Sequence, residues 1–210
     1  MPFIFLVGLA TCAALQPLAS AGATAHETGY STIQHMSTAG RALKPTQVRG
    51  PLSPAMGSST ARVTIVVFSD YHCPYCRELS GNLEQVLTRY PTQVRIVYRH
   101  FATSAATEVL SQASLCASDQ GKFPEYHRLV FATPAAGPQD ISELADAAGL
   151  EPAAFQRCID SARFAPRVRA DIAEGERLNI QVTPTVFVNG VRKSGLLSVA
   201  QLGAMIESML

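Results

Sequence analysis

Cys73 and Cys76 are the residues whose type and spacing point most directly to chemistry. A C-x-x-C pair can exchange a disulfide when its first sulfur sits at a helix N-terminus. There, unpaired backbone N–H groups and the helix dipole stabilise a thiolate. Cys73 would then be the exposed nucleophile. Cys76, one turn further in, would attack the mixed disulfide and release the partner. Half of a zinc site and an inert bridge are the competing readings. Zinc needs about four N or S ligands, usually from a second close pair. The chain has no second C-x-x-C and no H-x-x-x-H; His72 is adjacent and His100 is distant in sequence. No metal and no other cofactor is expected.

The elements around the pair suit disulfide exchange. Val63, Ile65, Val66, Val67 and Phe68 form a β-branched run of the kind that makes a strand buried on both faces. After the pair, Leu79, Leu83, Val86, Leu87 and Tyr90 recur at helical spacing until Pro91. The helix therefore begins near Pro74, and proline is well tolerated in a first turn. Val94, Ile96 and Tyr98 alternate with Arg95, Val97 and Arg99 as a second strand, completing a β-α-β unit. Residues from about 103 to 176 carry helical patterns without an intervening strand: Val109, Ala113, Cys116 and Ala117, then Leu144 and Ala148, then Phe155, Cys158 and Ile159. Strands return at Thr185–Val188 and Val191–Ser194 around Asn189-Gly190, the dipeptide that best satisfies a two-residue hairpin turn. Ser198 and Gln201 have capping-box spacing ahead of a last amphipathic helix. The expected fold class is α/β, a sheet core whose β-α-β and β-β-α halves are separated by a helical insertion.

With 210 residues, 47% hydrophobic and 16% charged, the chain can bury a full core. Its net charge of +1, from 17 basic and 16 acidic residues without a long like-charge run, does not suggest nucleic acid as a partner. Residues 1–25 read as a signal peptide: an apolar run from Phe3 to Ala10, then Ala19-Ser20-Ala21 and Ala23-Thr24-Ala25 as cleavage sites. The pattern departs from the usual one in having no Lys or Arg before the run. A lipid anchor at Cys12 is the minor alternative. Residues 26–61, rich in Ser, Thr, Gly and Pro, read as a linker or N-terminal arm ahead of a domain over 62–210. The protein is expected in the periplasm or another extracytoplasmic space.

The segment Phe68-Ser69-Asp70-Tyr71-His72-Cys73-Pro74-Tyr75-Cys76 resembles the active-site segment of DsbA-like thiol:disulfide oxidoreductases. So, in order, do Val97–Phe101, Cys116–Phe123 and Thr183–Gly190, and the resemblance runs from about Arg62 to Leu210. It implies a thioredoxin-like fold and an enzyme that donates disulfides to exported proteins with free thiols, re-oxidised by a membrane partner. A reductase or isomerase on the same scaffold, or a chaperone-like binding module, remains the alternative. The resemblance also implies that Pro184 is a cis-proline facing the cysteines and that Thr183 offers its backbone to substrate. Pro74 and Tyr75 would tune redox potential and partner fit. Many relatives have an acidic residue where this chain has Val67; Asp70 could replace it as a proton acceptor, or simply serve as a loop or capping residue. Cys116 and Cys158 are candidates for a structural disulfide, with two buried free thiols as the alternative. His72 would help hold the thiolate or else face solvent as a loop histidine, and His127 reads as a packed, hydrogen-bonded residue.

Overall fold

The computed structural model describes residues 53–210, so the signal peptide, Cys12 and residues 26–52 of the expected linker lie outside the described residues. Five strands form one sheet in the order β1-β3-β2-β4-β5: β1 (Ala55–Gly57), β2 (Val63–Ser69), β3 (Val94–His100), β4 (Thr185–Val188) and β5 (Val191–Ser194). β2 and β3 are parallel, joined by α1 (Pro74–Arg89); the other pairings are antiparallel. Helices α2 (Ala105–Asp119), α3 (Phe123–Ala132), α4 (Ile141–Ala147), α5 (Pro152–Asp160) and α6 (Ala165–Arg177) make the insertion, and α7 (Val199–Glu207) ends the fold.

The expected linker reached too far. Ala55–Gly57 pairs antiparallel with β3, covering that edge of the sheet. Three residues are too few to show a strand's alternation, so this element has no periodic signal in the sequence. The hairpin turn forms at Asn189-Gly190, both with positive φ (45° and 90°), and Ser198 makes a reciprocal capping box with Gln201.

Each face of the sheet has its own core. Val63, Ile65 and Val67 pack with Leu79, Leu83 and Val86 of α1 and Leu202 and Ile206 of α7. Val66, Phe68, Val97 and Phe187 point the other way. On that side Gly175 of α6 lets the Phe101 ring approach so closely that a Cβ would overlap it. Arg99 is buried despite its place in an alternating pattern. Its Nε bonds Asp171, which is fully buried, and Asp171 also receives Arg167 at 3.0 Å and the His100 N–H at 3.2 Å. A buried charge is tolerable only when paired and hydrogen-bonded in this way.

A third core belongs to the insertion and includes Leu110, Tyr126, Phe155, Tyr71 and Cys76. Cys116 of α2 and Cys158 of α5 are disulfide-bonded within it. The crosslink spans 42 residues of sequence, for which loop-closure entropy predicts about 4 kcal/mol of stabilisation. Replacing both residues with alanine is expected to lower unfolding free energy by about 2–4 kcal/mol in denaturant titrations. An unchanged midpoint would show that the bridge contributes nothing to stability.

Buried polar side chains join this core to the sheet. The Tyr71 hydroxyl lies 3.0 Å from His127 Nδ1, His127 Nε2 lies 3.2 Å from Ser80 Oγ, and His100 Nε2 lies 3.1 Å from Ser114 Oγ. Burial lowers His100 to about 4 and His127 to about 3. Unfolded, a histidine protonates near its ordinary value of about 6.5. The folded-state advantage is therefore complete above that value and is lost progressively as pH falls below it, until the loss is complete at about 4 for His100 and about 3 for His127. Denaturation midpoints are expected to be lower at pH 4.5 than at pH 7.5, and less so in His127→Gln, which keeps hydrogen-bonding groups without a titrating ring. Equal drops in both proteins would assign this pH dependence to other groups.

Candidate functional site

Cys73 is the N-cap of α1, with extended backbone angles (φ −75°, ψ 119°) and Pro74 beginning the first turn. No side chain caps this end, so no capping oxygen competes with sulfur for the first-turn N–H groups. The Cys73 carbonyl accepts the Cys76 and Arg77 N–H groups, both at 3.1 Å, which fixes the turn. Cys73 and Cys76 are both free thiols; Cys73 is half-buried, while Cys76 is 2% exposed. A nucleophile open to solvent and a partner sealed behind it are what stepwise disulfide exchange needs.

The approach to Cys73 is shaped by a distant segment. The Thr183–Pro184 peptide is cis, and the Cys73 thiol donates to the Thr183 carbonyl at 3.3 Å. Tyr75 (60% exposed) and Val182 (49% exposed) give apolar surface on the α1 turn and on the turn carrying Pro184. Pro74 is also exposed. His72 is exposed too, and its Nε2 lies 2.7 Å from the Ala136 carbonyl. Of the residues singled out in the sequence, Cys73, Cys76, Pro74, Tyr75, His72, Thr183 and Pro184 thus share one locality. Cys116 and Cys158 lie in the disulfide within the insertion.

Burial dominates the chemistry of the inner sulfur. It pushes the Cys76 thiol up to about 12, partly offset by hydrogen bonds from the Ser69 side chain and the Asp70 backbone. Val67 packs in the apolar core between the sheet and α1. The Asp70 carboxylate organises the loop instead: Oδ1 accepts the His72 N–H at 2.7 Å, and Oδ2 accepts the Thr103 N–H at 2.7 Å and its hydroxyl at 2.9 Å. Ser69 and Thr103 were missed in the sequence. They are generic small polar residues whose importance depends on which atoms the fold sets against them. Among the described residues, no group of three His, Cys, Asp or Glu is arranged to hold a metal ion.

Residues 50–208 match the family model described as thioredoxin, and the chain belongs to that family. Its fold is that of DsbA-like thiol:disulfide oxidoreductases. A thioredoxin-like oxidoreductase from Silicibacter pomeroyi superimposes with a TM-score of 0.71 at 25% identity, over 77% of this chain and 94% of that one. The thiol-disulfide exchange protein α-DsbA2 of Wolbachia pipientis gives 0.72 at 16% identity, over 78% and 90%. A periplasmic thioredoxin-like protein from Salmonella enterica gives 0.65 at 20% identity, over 77% and 91%. Among curated sequences, the Na(+)/H(+) antiporter NhaA 1 of Salinispora arenicola is 31% identical over 156 residues, covering 72% of this chain but 24% of the antiporter. The chain therefore spans about a quarter of the length of the curated relatives it matches.

The contrast between the two sulfurs is directly measurable. In the dithiol form at pH 8, iodoacetamide is expected to alkylate Cys73 and leave Cys76 unmodified, because Cys76 is both sealed and protonated well above that pH. Comparable labelling of both, read by peptide mass, would contradict this asymmetry.

Proposed function

We propose that the chain is an exported thiol:disulfide oxidoreductase that donates disulfides to proteins with free thiols. The observation that carries the reading is the pair of unequally buried sulfurs at one helix N-terminus, beside the Thr183 carbonyl of a cis-proline turn. In the forward reaction a substrate thiolate attacks Cys73 Sγ of the Cys73–Cys76 disulfide. Cys76 leaves as a thiolate and takes a proton. A second substrate thiolate then attacks the substrate sulfur of the mixed disulfide, and Cys73 leaves. Two substrate thiols become one disulfide, and the cysteine pair becomes a dithiol. A membrane partner that accepts two electrons and two protons returns the pair to its disulfide.

The donor direction is favoured by Cys76. A thiol raised to about 12 by burial is protonated near neutrality, so it returns slowly to attack the mixed disulfide. That leaves time for the substrate's own second thiol. An oxidising compartment is favoured by the Cys116–Cys158 disulfide, a bond uncommon in reducing cytosol. Thr183 and Pro184, with exposed Tyr75, would receive an extended substrate segment; Pro74 and Tyr75 would tune the potential.

Two measurements test this. Cys73→Ser is expected to abolish oxidation of a reduced protein substrate, whereas a binding module would keep its function. The potential of the Cys73–Cys76 pair in glutathione buffers is expected nearer about −120 mV than about −270 mV. A value at the lower end would make the protein a reductant.

A further inference from the structure

Cys73 neighbours two segments distant in sequence, one following the insertion and one within it. One is the turn from Val182 to Pro184, whose Thr183 carbonyl meets the Cys73 sulfur. The other is the loop joining α3 to α4, residues 133–140. Ala136 of that loop is buried in the same apolar cluster as Tyr71 and Cys76, and Cys73 packs against this cluster. The loop is ordered from within: the Gly137 N–H donates to Asp140 Oδ2 at 2.8 Å, and the Ala136 N–H donates to the Thr133 carbonyl at 3.3 Å. His72 ties it to the active-site turn, donating from Nε2 to the Ala136 carbonyl at 2.7 Å. The His72 backbone is itself held by Asp70 Oδ1, so the ring bridges two fixed points. Because its acceptor is a carbonyl, Nε2 carries the proton in this arrangement.

We propose that His72 is a positioning residue that latches the α3–α4 loop to the active-site turn, so that the loop serves as a second wall beside Cys73 in addition to Thr183–Pro184, and so favours an extended polypeptide over a small thiol. The proposal rests on the oxidoreductase reading above. A small dithiol needs only to reach the Cys73 sulfur. A polypeptide segment also has to fit against both walls, and a wall ordered beforehand removes an ordering cost from binding. Asp70, His72 and Ala136 then form one line of contact from the end of β2 to the insertion, so the insertion takes part in substrate choice as well as covering the core.

The test compares wild type, His72→Ala and His72→Gln in the full chain. Each is assayed as the disulfide form oxidising a reduced two-cysteine peptide and, separately, dithiothreitol. His72→Ala is expected to raise KM for the peptide about fivefold more than it slows the reaction with dithiothreitol. His72→Gln, whose amide N–H can reach the same carbonyl, is expected to recover most of that loss. Equal slowing with both substrates would overturn the proposal by placing the effect on the sulfur itself. An unchanged peptide KM, or a Gln variant as impaired as Ala, would overturn it by removing the latch. Wild-type protein that oxidises neither substrate would instead sink the oxidoreductase reading.

Discussion

The Asp70 carboxylate is 2% exposed, and both of its oxygens are engaged. A carboxylate taken out of water to this degree costs several kcal/mol unless hydrogen bonds replace its hydration. Here the replacements come from His72 on one side and Thr103 on the other, so satisfying the charge forces the active-site turn and the start of the insertion into register. The remaining geometry depends on that constraint. With His72 fixed, Cys73 enters the N-cap of α1 and its sulfur meets Thr183; with Thr103 fixed, Ser104 caps α2.

The insertion meets the thioredoxin core through polar contacts as well as apolar ones. Tyr71, His127 and Ser80 link the active-site turn, α3 and α1, and His100 with Ser114 links β3 to α2. Each donor and acceptor in such a joint must find its partner, so the joint tolerates few alternative packings. The nearby Arg99–Asp171–Arg167 group binds α6 to the end of β3 under the same rule. Between them these contacts fix the insertion on both sides of the sheet end that delivers the cysteines. The disulfide within the insertion adds a covalent limit on its unfolded states.

Burial separates the roles of two chemically identical side chains. Cys73 and Cys76 are three residues apart on one helix start, yet one reaches solvent and the other belongs to a closed apolar cluster. The difference in access, and the raised Cys76 thiol, follow from what packs over the first turn of α1 rather than from the motif itself.

Much of this was legible in the sequence because local rules suffice for it. The C-x-x-C pair before a proline-started helix, the β-branched run of β2, the Asn189-Gly190 hairpin and the Ser198 capping box each involve residues within a few positions of one another. The resemblance to DsbA-like proteins added the cis-proline, which spacing alone does not indicate. Other features depended on tertiary structure. Strand β1 is too short to carry a period, Arg99 looks solvated until Asp171 is brought beneath it, and Asp70 reads equally as a relay or a loop residue until Thr103 is placed beside it. The Cys73–Thr183 contact spans 110 residues, and the His72–Ala136 contact spans 64. Sequence determines which groups can donate, accept or lose a proton. Which of them meet, and which lose their water, is decided when distant segments pack, because burial and pairing are properties of neighbours the chain acquires only on folding.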